Sequence, residues 1–333
     1  MAGPVFLTGG SGVVGRAVLR RLLDEGRTVR ALARSAAAAA VVGSLGAEAV
    51  AGDVLDPGSL DAALRGCEVV YHVAGVNQFC LRDPSPMVRT NVDGTANVVE
   101  AAARAGVGRV VYTSSTAALG EAEGTVGDER SPHRGTFLSA YERSKFEAER
   151  VARELAARNG VELVCLNPSS VQGPGRVTGT GQLLIRYLQG RLKLWVDTTV
   201  SLVDIDDCAE GHVLSETKGT PDDRYVLNGA SLTTAELLAV MARVAPALPR
   251  PRLVPPPLAV AVTGVVEGAA RVRGRTPLVC RESLRTLLHG HRYDGSKAAR
   301  ELGLQYRPVE ETLRRTAIWL VEQGLVPPIS DMG

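Results

Sequence analysis

The chain has 333 residues, 45% hydrophobic and 22% charged, with 38 Lys+Arg against 36 Asp+Glu. That balance excludes a mainly disordered, collagen-like or coiled-coil protein, and it leaves no positive field for sequence-independent nucleic-acid binding. At about 150 residues per domain, the length allows two domains or one large α/β domain with an attached lobe.

The first half alternates strands and helices. Val5 to Leu7 reads as a buried strand. Val13 to Asp24 follows with Val14, Val18 and Leu22 at helical spacing. Thr28 to Ala33 and Ala47 to Ala51 are the next strands, with an alanine-rich helix between them at Ala36 to Ala40. A helix starts at Pro57, a strand runs from Glu68 to Val73, and a long helix from Pro86 to Ala105. Arg109 to Thr113 is a fifth strand, Ser139 to Arg158 a second long helix, and Glu162 to Leu166 a sixth strand. This rhythm predicts a doubly wound parallel sheet with helices on both faces. It breaks near residue 168, and glycines and a proline mark a loop at Gly173 to Gly181. Residues 1–168 are therefore read as a nucleotide-binding domain, part of whose core returns after 195. Residues 169–333 are read mainly as a substrate lobe and lid. Within that lobe the apolar run Leu258 to Val266 is too short to span a bilayer, which needs ~20 residues. It is read as a buried helix over the substrate rather than a membrane-facing patch.

The five cysteines (Cys67, Cys80, Cys165, Cys208, Cys280) show neither zinc-ligand nor C-x-x-C spacing. They are read as free thiols in a reducing cytosol, and no leader segment is read at the start of the chain. No metal is expected. His289-x-His291 is read as exposed and structural.

Thr8-Gly9-Gly10-Ser11-Gly12-Val13-Val14-Gly15 links the first strand to the first helix. A dinucleotide site needs a tight turn, a bare backbone beside the pyrophosphate and close helix–strand packing. Gly9, Gly12 and Gly15 fit those roles, and the helix N-terminus offers free N–H groups to phosphate.

The Gly-x-x-Gly-x-x-Gly spacing resembles the short-chain dehydrogenase/reductase superfamily. Further motifs extend the resemblance over nearly the whole chain: Gly52-Asp53-Val54, His72-Val73-Ala74-Gly75, Asn91-Val92-Asp93-Gly94-Thr95, Tyr141-x-x-x-Lys145, Asn167-Pro168 and Val203 to Asp207. They resemble its extended, epimerase/dehydratase branch, near dihydroflavonol reductases and 3β-hydroxysteroid dehydrogenases. The resemblance implies cofactor contacts at Gly9, Ser11, Gly12, Val13, Val14, Gly15, Asp53, Val54, Val73, Ala74, Gly75, Asn91, Pro168 and Val171. Asn91 either holds backbone or water beside the site or caps a helix.

NAD-preferring members place an acid at the end of the second strand, where it holds the ribose hydroxyls. Here that strand ends Ala33-Arg34-Ser35, and Arg34 suits a 2′-phosphate. NADP is the expected cofactor, with NAD as the alternative. Tyr141 and Lys145 lie four apart on one helix face. A nearby ammonium favours phenolate, and the resemblance adds that Lys145 binds the nicotinamide ribose. Tyr141 exchanges a proton with the carbonyl oxygen, and Ser115 orients that oxygen. Substrate contacts are expected at Asn77, Phe79, Ser115, Phe137, Tyr141 and Asn167.

The function implied is an NADP-dependent oxidoreductase interconverting a ketone or aldehyde and an alcohol. A nucleotide-sugar epimerase ranks next, and a non-catalytic NADP sensor last. Dehydration is disfavoured, because Ser114-Ser115 stands where dehydratases carry Asp-Glu. The expected setting is the cytoplasm, with a small-molecule substrate and no membrane span. A homodimer is expected through residues 86–105 and 139–158, using their alanine-rich surfaces.

Overall fold

The computed structural model describes residues 3–273, 277 and 279–328. The first part runs β1 (Val5–Thr8), α1 (Val13–Asp24), β2 (Val29–Ala33), α2 (Ala36–Ser44), β3 (Glu48–Ala51), α3 (Pro57–Ala63), β4 (Val69–His72), α4 (Ser85–Arg104), β5 (Arg109–Thr113), α5 (Ala140–Asn159) and β6 (Glu162–Pro168). The rest runs β7 (Ser170–Gln172), α6 (Gly181–Leu188), β8 (Leu194–Val196), β9 (Thr199–Asp204), α7 (Ile205–Lys218), β10 (Arg224–Leu227), β11 (Ala230–Thr233), α8 (Thr234–Val244), β12 (Arg252–Val254), α9 (Pro256–Val272), α10 (Arg281–Leu288) and α11 (Val309–Glu322).

Seven parallel strands form the main sheet in the order β10-β6-β5-β4-β1-β2-β3. The middles of its inner strands are apolar because both faces are covered, as in Val5–Leu7 and Val110–Tyr112. Leu7, Tyr71 and Val111 pack under α1 and α7, while Phe6, Val70 and Val110 pack under α3, α4 and α5. The order reverses between β1 and β4, which opens a crevice at their carboxyl ends. The sheet is completed late in the chain. β10 joins β6 with Arg224 opposite Cys165, and α7 is tied to α1 and its following turn by Arg21–Glu210 and Arg27–Glu216 ion pairs. The remaining segments build a three-stranded sheet, β11-β9-β7, a two-stranded one, β12-β8, and a separate core around Tyr187, Trp195, Leu238 and Leu320.

Three expectations are corrected here. Cys80 and Cys280 form a disulfide across 200 residues of sequence, so the free thiols are Cys67, Cys165 and Cys208. Spacing could not reveal the pair, because folding alone brings the loop after β4 against the start of α10. The run Leu258 to Val266 is not buried. Leu258, Val260, Val262 and Val265 face outward, Val265 with 74% exposure, while Ala259, Thr263 and Glu267 face inward. Glu267 sets this orientation: its carboxylate accepts from Arg281 N at 2.9 Å, at the start of α10. The alanines assigned to a dimer surface are largely used within the protomer. Ala101, Ala102, Ala148, Ala152 and Ala156 are fully buried between α4, α5 and the sheet. Among the described residues no helix is long and apolar enough to cross a membrane.

Candidate active site

The turn after β1 needs its glycines. Gly9 has φ +73°, and a Cβ there would lie 2.6 Å from Ala74 N. A Cβ on Gly15 would lie 2.0 Å from Gly9 O, so only glycine lets α1 sit this close to the turn. The helix that follows has no capping side chain and no acid in its first turn. Its leading N–H groups and its partial positive charge are left for an anion. A cavity of about 1300 Å³ opens over this turn. Gly9, Ser11, Gly12, Val13, Val14, Gly15, Arg34, Asp53, Val54, Val73, Ala74, Gly75, Pro168 and Val171 all line it. This bare-backbone cradle, long enough to reach from Arg34 to Lys145, fits a dinucleotide.

Buried polar groups hold the floor of the cradle. Ala74 N donates to Thr8 Oγ1 at 3.1 Å, and that hydroxyl meets His72 Nδ1 at 2.7 Å. Thr95 donates to Asn91 O, so its oxygen receives His72 Nε2–H at 3.0 Å. Burial, with the charge of Lys145 second, lowers the His72 pKa to about 3, so it acts as a neutral link between β1, β4 and α4.

Ser115, Tyr141 and Lys145 line the same cavity, together with Asn77 and Phe79. Ser139 caps α5 by accepting from Glu142 N at 3.1 Å, and this fixes the first turn that carries Tyr141. Ser115 follows β5 and caps a 3₁₀ turn, accepting from Ala117 N at 3.2 Å. The Lys145 ammonium donates to Thr113 O at 2.8 Å and to Tyr112 Oη at 3.3 Å. Burial brings its pKa down from 10.5 to about 8. Tyr141 is shifted the other way. Burial raises its phenol above the usual value, while a hydrogen bond with Ser115 and the charge of Arg176 oppose the rise.

Three expected site residues stand behind the cavity rather than in it. Asn167 is fully buried. It donates to Ser115 O at 3.0 Å and to Glu149 Oε2 at 2.8 Å, so it places Ser115 instead of touching substrate. Glu149 is in turn held by Ser114 and Arg224. Asn91 lies inside α4 and caps nothing. It donates to Val76 O, accepts from Val76 N at 2.8 Å, and donates to Ser144 Oγ, fixing the loop after β4. Phe137 packs on His133 and Phe146, away from the cavity wall.

Other residues were not singled out by the sequence. Glu282 accepts from Cys80 N at 2.9 Å and from Ala140 N at 2.7 Å, clamping the substrate loop to the start of α5. Gln172, Arg176, His291 and Tyr293 line the wall contributed by the lobe. The His289 and His291 side chains are not exposed but mostly buried, against Glu121. One ligand atom from each of the three lies within 4.8 Å of the others. Burial would raise the Glu121 carboxyl, but its contacts with both histidines hold it at about 2. His291 Nδ1 bonds Glu121 Oε1, whereas His289 Nε2 lies 3.4 Å from that oxygen without a hydrogen bond, and Glu121 Oε2 is buried without a partner. Only a Gly-Pro-Gly-Arg stretch hinted at Arg176, and nothing local marked Glu282 or Glu121.

Residues 5–227 match the NAD dependent epimerase/dehydratase family. A Synechocystis protein named for dihydroflavonol 4-reductase is 35% identical, over 98% of this chain and 97% of its own. The 2-alkyl-3-oxoalkanoate reductase of Shewanella oneidensis is 30% identical, over 93% and 84%. The crystal structure of gox2253 superimposes with a TM-score of 0.86 at 32% identity, over 97% of this chain and 99% of that one.

Proposed function

The chain belongs to the NAD-dependent epimerase/dehydratase family as an NAD(P)-dependent oxidoreductase, and from that premise we propose an NADP-linked reductase of ketones or aldehydes. The observation that carries this is the meeting of Ser115, Tyr141 and Lys145 on the cavity that also holds the glycine turn. Arg34 at the end of β2, where no acid stands, supports NADP over NAD.

The glycine turn and the uncapped start of α1 would hold the pyrophosphate, and Arg34 would hold a 2′-phosphate; the chemistry such a cofactor would supply there is hydride transfer to the substrate carbon. Ser115 donates a hydrogen bond to the carbonyl oxygen and polarises it. Tyr141 hands that oxygen its proton. A phenol raised by burial stays protonated at neutral pH, which suits donation and hence reduction. The Lys145 ammonium, anchored on Thr113 O, would hold the nicotinamide ribose and would restore charge balance as Tyr141 gives up its proton. The reverse reaction needs phenolate, so oxidation should rise with pH where reduction does not.

A homodimer remains part of this reading. It would use outer faces of α4 and α5 rather than the buried alanines, and light scattering showing only a ~35 kDa species would remove it. The cofactor reading is tested by fluorescence titration with NADPH and NADH. Tight NADPH binding supports it, and a preference for NADH, or NAD that co-purifies, moves the epimerase reading first.

A further inference from the structure

Arg176 sits on the loop between β7 and α6, in the cavity wall shared with Tyr141 and Ser115. Its Nε is buried and makes no hydrogen bond. No ion pair of its guanidinium is found among the described residues. The loop is shaped to keep it there. Gly173, Gly175 and Gly179 all have positive φ. A Cβ on Gly179 would lie 3.2 Å from Arg176 Nη2, and one on Gly181 would lie 3.0 Å from its Cγ. Removing a guanidinium from water without an acceptor is costly, and proteins pair such groups. Arginine keeps its charge whatever the burial; the side chain is part-buried with its Nε shielded from any acceptor, and an anion that arrives with a ligand is the partner that would satisfy it. The cofactor's phosphates have their own sites at the glycine turn and at Arg34. Arg176 and Tyr141 line the same cavity, and each feels the other's charge.

We propose that Arg176 is a specificity residue that binds a carboxylate borne by the substrate close to its reacting carbonyl, so that oxo acids are preferred over neutral carbonyl compounds. This rests on the reductase reading above. The guanidinium fork matches a carboxylate in two parallel hydrogen bonds, which fixes the orientation of the neighbouring carbonyl toward Ser115 and Tyr141. It takes no part in the bond changes themselves.

The test compares 2-methyl-3-oxobutanoate with its ethyl ester, using NADPH and wild type, Arg176→Met and Arg176→Lys. Wild type should favour the acid in kcat/KM. Arg176→Met should lose ~10–100-fold on the acid and stay within about threefold on the ester, with Arg176→Lys between. NADPH affinity should be unchanged, which also shows that the variants fold. Equal losses on acid and ester, or a matching loss of NADPH affinity, would overturn the proposal. A second arm needs no turnover: calorimetric titration of methylmalonate into the NADP⁺ complex. Binding that disappears in Arg176→Met supports the subsite even if no carbonyl in a wide panel is reduced, an outcome that would sink the reductase reading alone. Carbonyl turnover without any discrimination of charge, or methylmalonate binding that ignores the substitution, would sink the subsite alone.

Discussion

Residues 5–168 and the lobe that follows hold their functional side chains by different means. In the first region the backbone does most of the work: the Gly9–Gly15 turn, the uncapped start of α1, and strand ends fixed by sheet register. Even its polar residues serve the backbone, as Asn91 does at Val76 and Asn167 at Ser115. In the lobe, position depends on contacts between distant segments: the Cys80–Cys280 bridge, Glu282 across to Cys80 and Ala140, and Glu121 against His289 and His291. The first region is thus general, suited to a cofactor common to many enzymes. The second is assembled from side chains that can change without disturbing the sheet, suited to a substrate.

Substitutions should separate the two regions, beginning with the largest effects. Tyr141→Phe removes the proton donor and should lower kcat by ~10²–10⁴-fold with NADPH affinity intact. Gly15→Ala places a methyl 2.0 Å from Gly9 O and should abolish NADPH binding, seen as loss of fluorescence enhancement. A change of similar size in the lobe, Val265→Ser on the exposed face of α9, should leave stability within ~0.5 kcal/mol by denaturant titration.

Lys145→Met should be inactive yet more stable as the free protein. The ammonium of the folded chain has its pKa lowered from 10.5 to about 8, so folding disfavours the charged form at every pH below that. The gain, after the lost bond to Thr113 O, is about 2 kcal/mol at neutral pH. It should shrink as pH rises from 8 toward 10.5, where the folded protein holds a neutral amine. The same titration should make reduction fall above about pH 8, as Lys145 loses its charge. Arg34→Asp should weaken NADPH more than NADH, by ~10-fold or more; an equal effect on both would remove the NADP assignment. The smallest signal is a thiol count. Without reductant the unfolded chain should show three reactive thiols, and five would mean that the Cys80–Cys280 bridge is absent.

The parallel sheet and the glycine turn were legible because their causes are local. Strands buried on both faces read as apolar runs, and a tight turn demands glycine at fixed spacing. The roles of Asn91 and Asn167 were half legible. Their nearness to the site showed in the motifs, but whether an amide faces a cavity or a backbone carbonyl depends on packing that the sequence does not display. The α9 face was misread because Leu258 to Val266 is apolar on every side, so hydrophobicity cannot say which face turns inward. The inward position of Glu267, bound to Arg281 N, settled it through a contact 14 residues away. Arg176 showed only as part of a Gly-Pro-Gly-Arg loop and the Glu121 cluster only as the His289-x-His291 pair, since an unpaired charge looks like a solvated one until its surroundings are known.

The most direct test of the account follows NADPH oxidation by wild type and Tyr141→Phe against a panel of ketones and aldehydes that includes oxo acids. The account predicts turnover by wild type with at least one member, and loss of at least ~10²-fold in the variant while NADPH still binds. Undiminished turnover by Tyr141→Phe, or a wild-type protein that binds NADPH and oxidises none of it with any carbonyl, would contradict it.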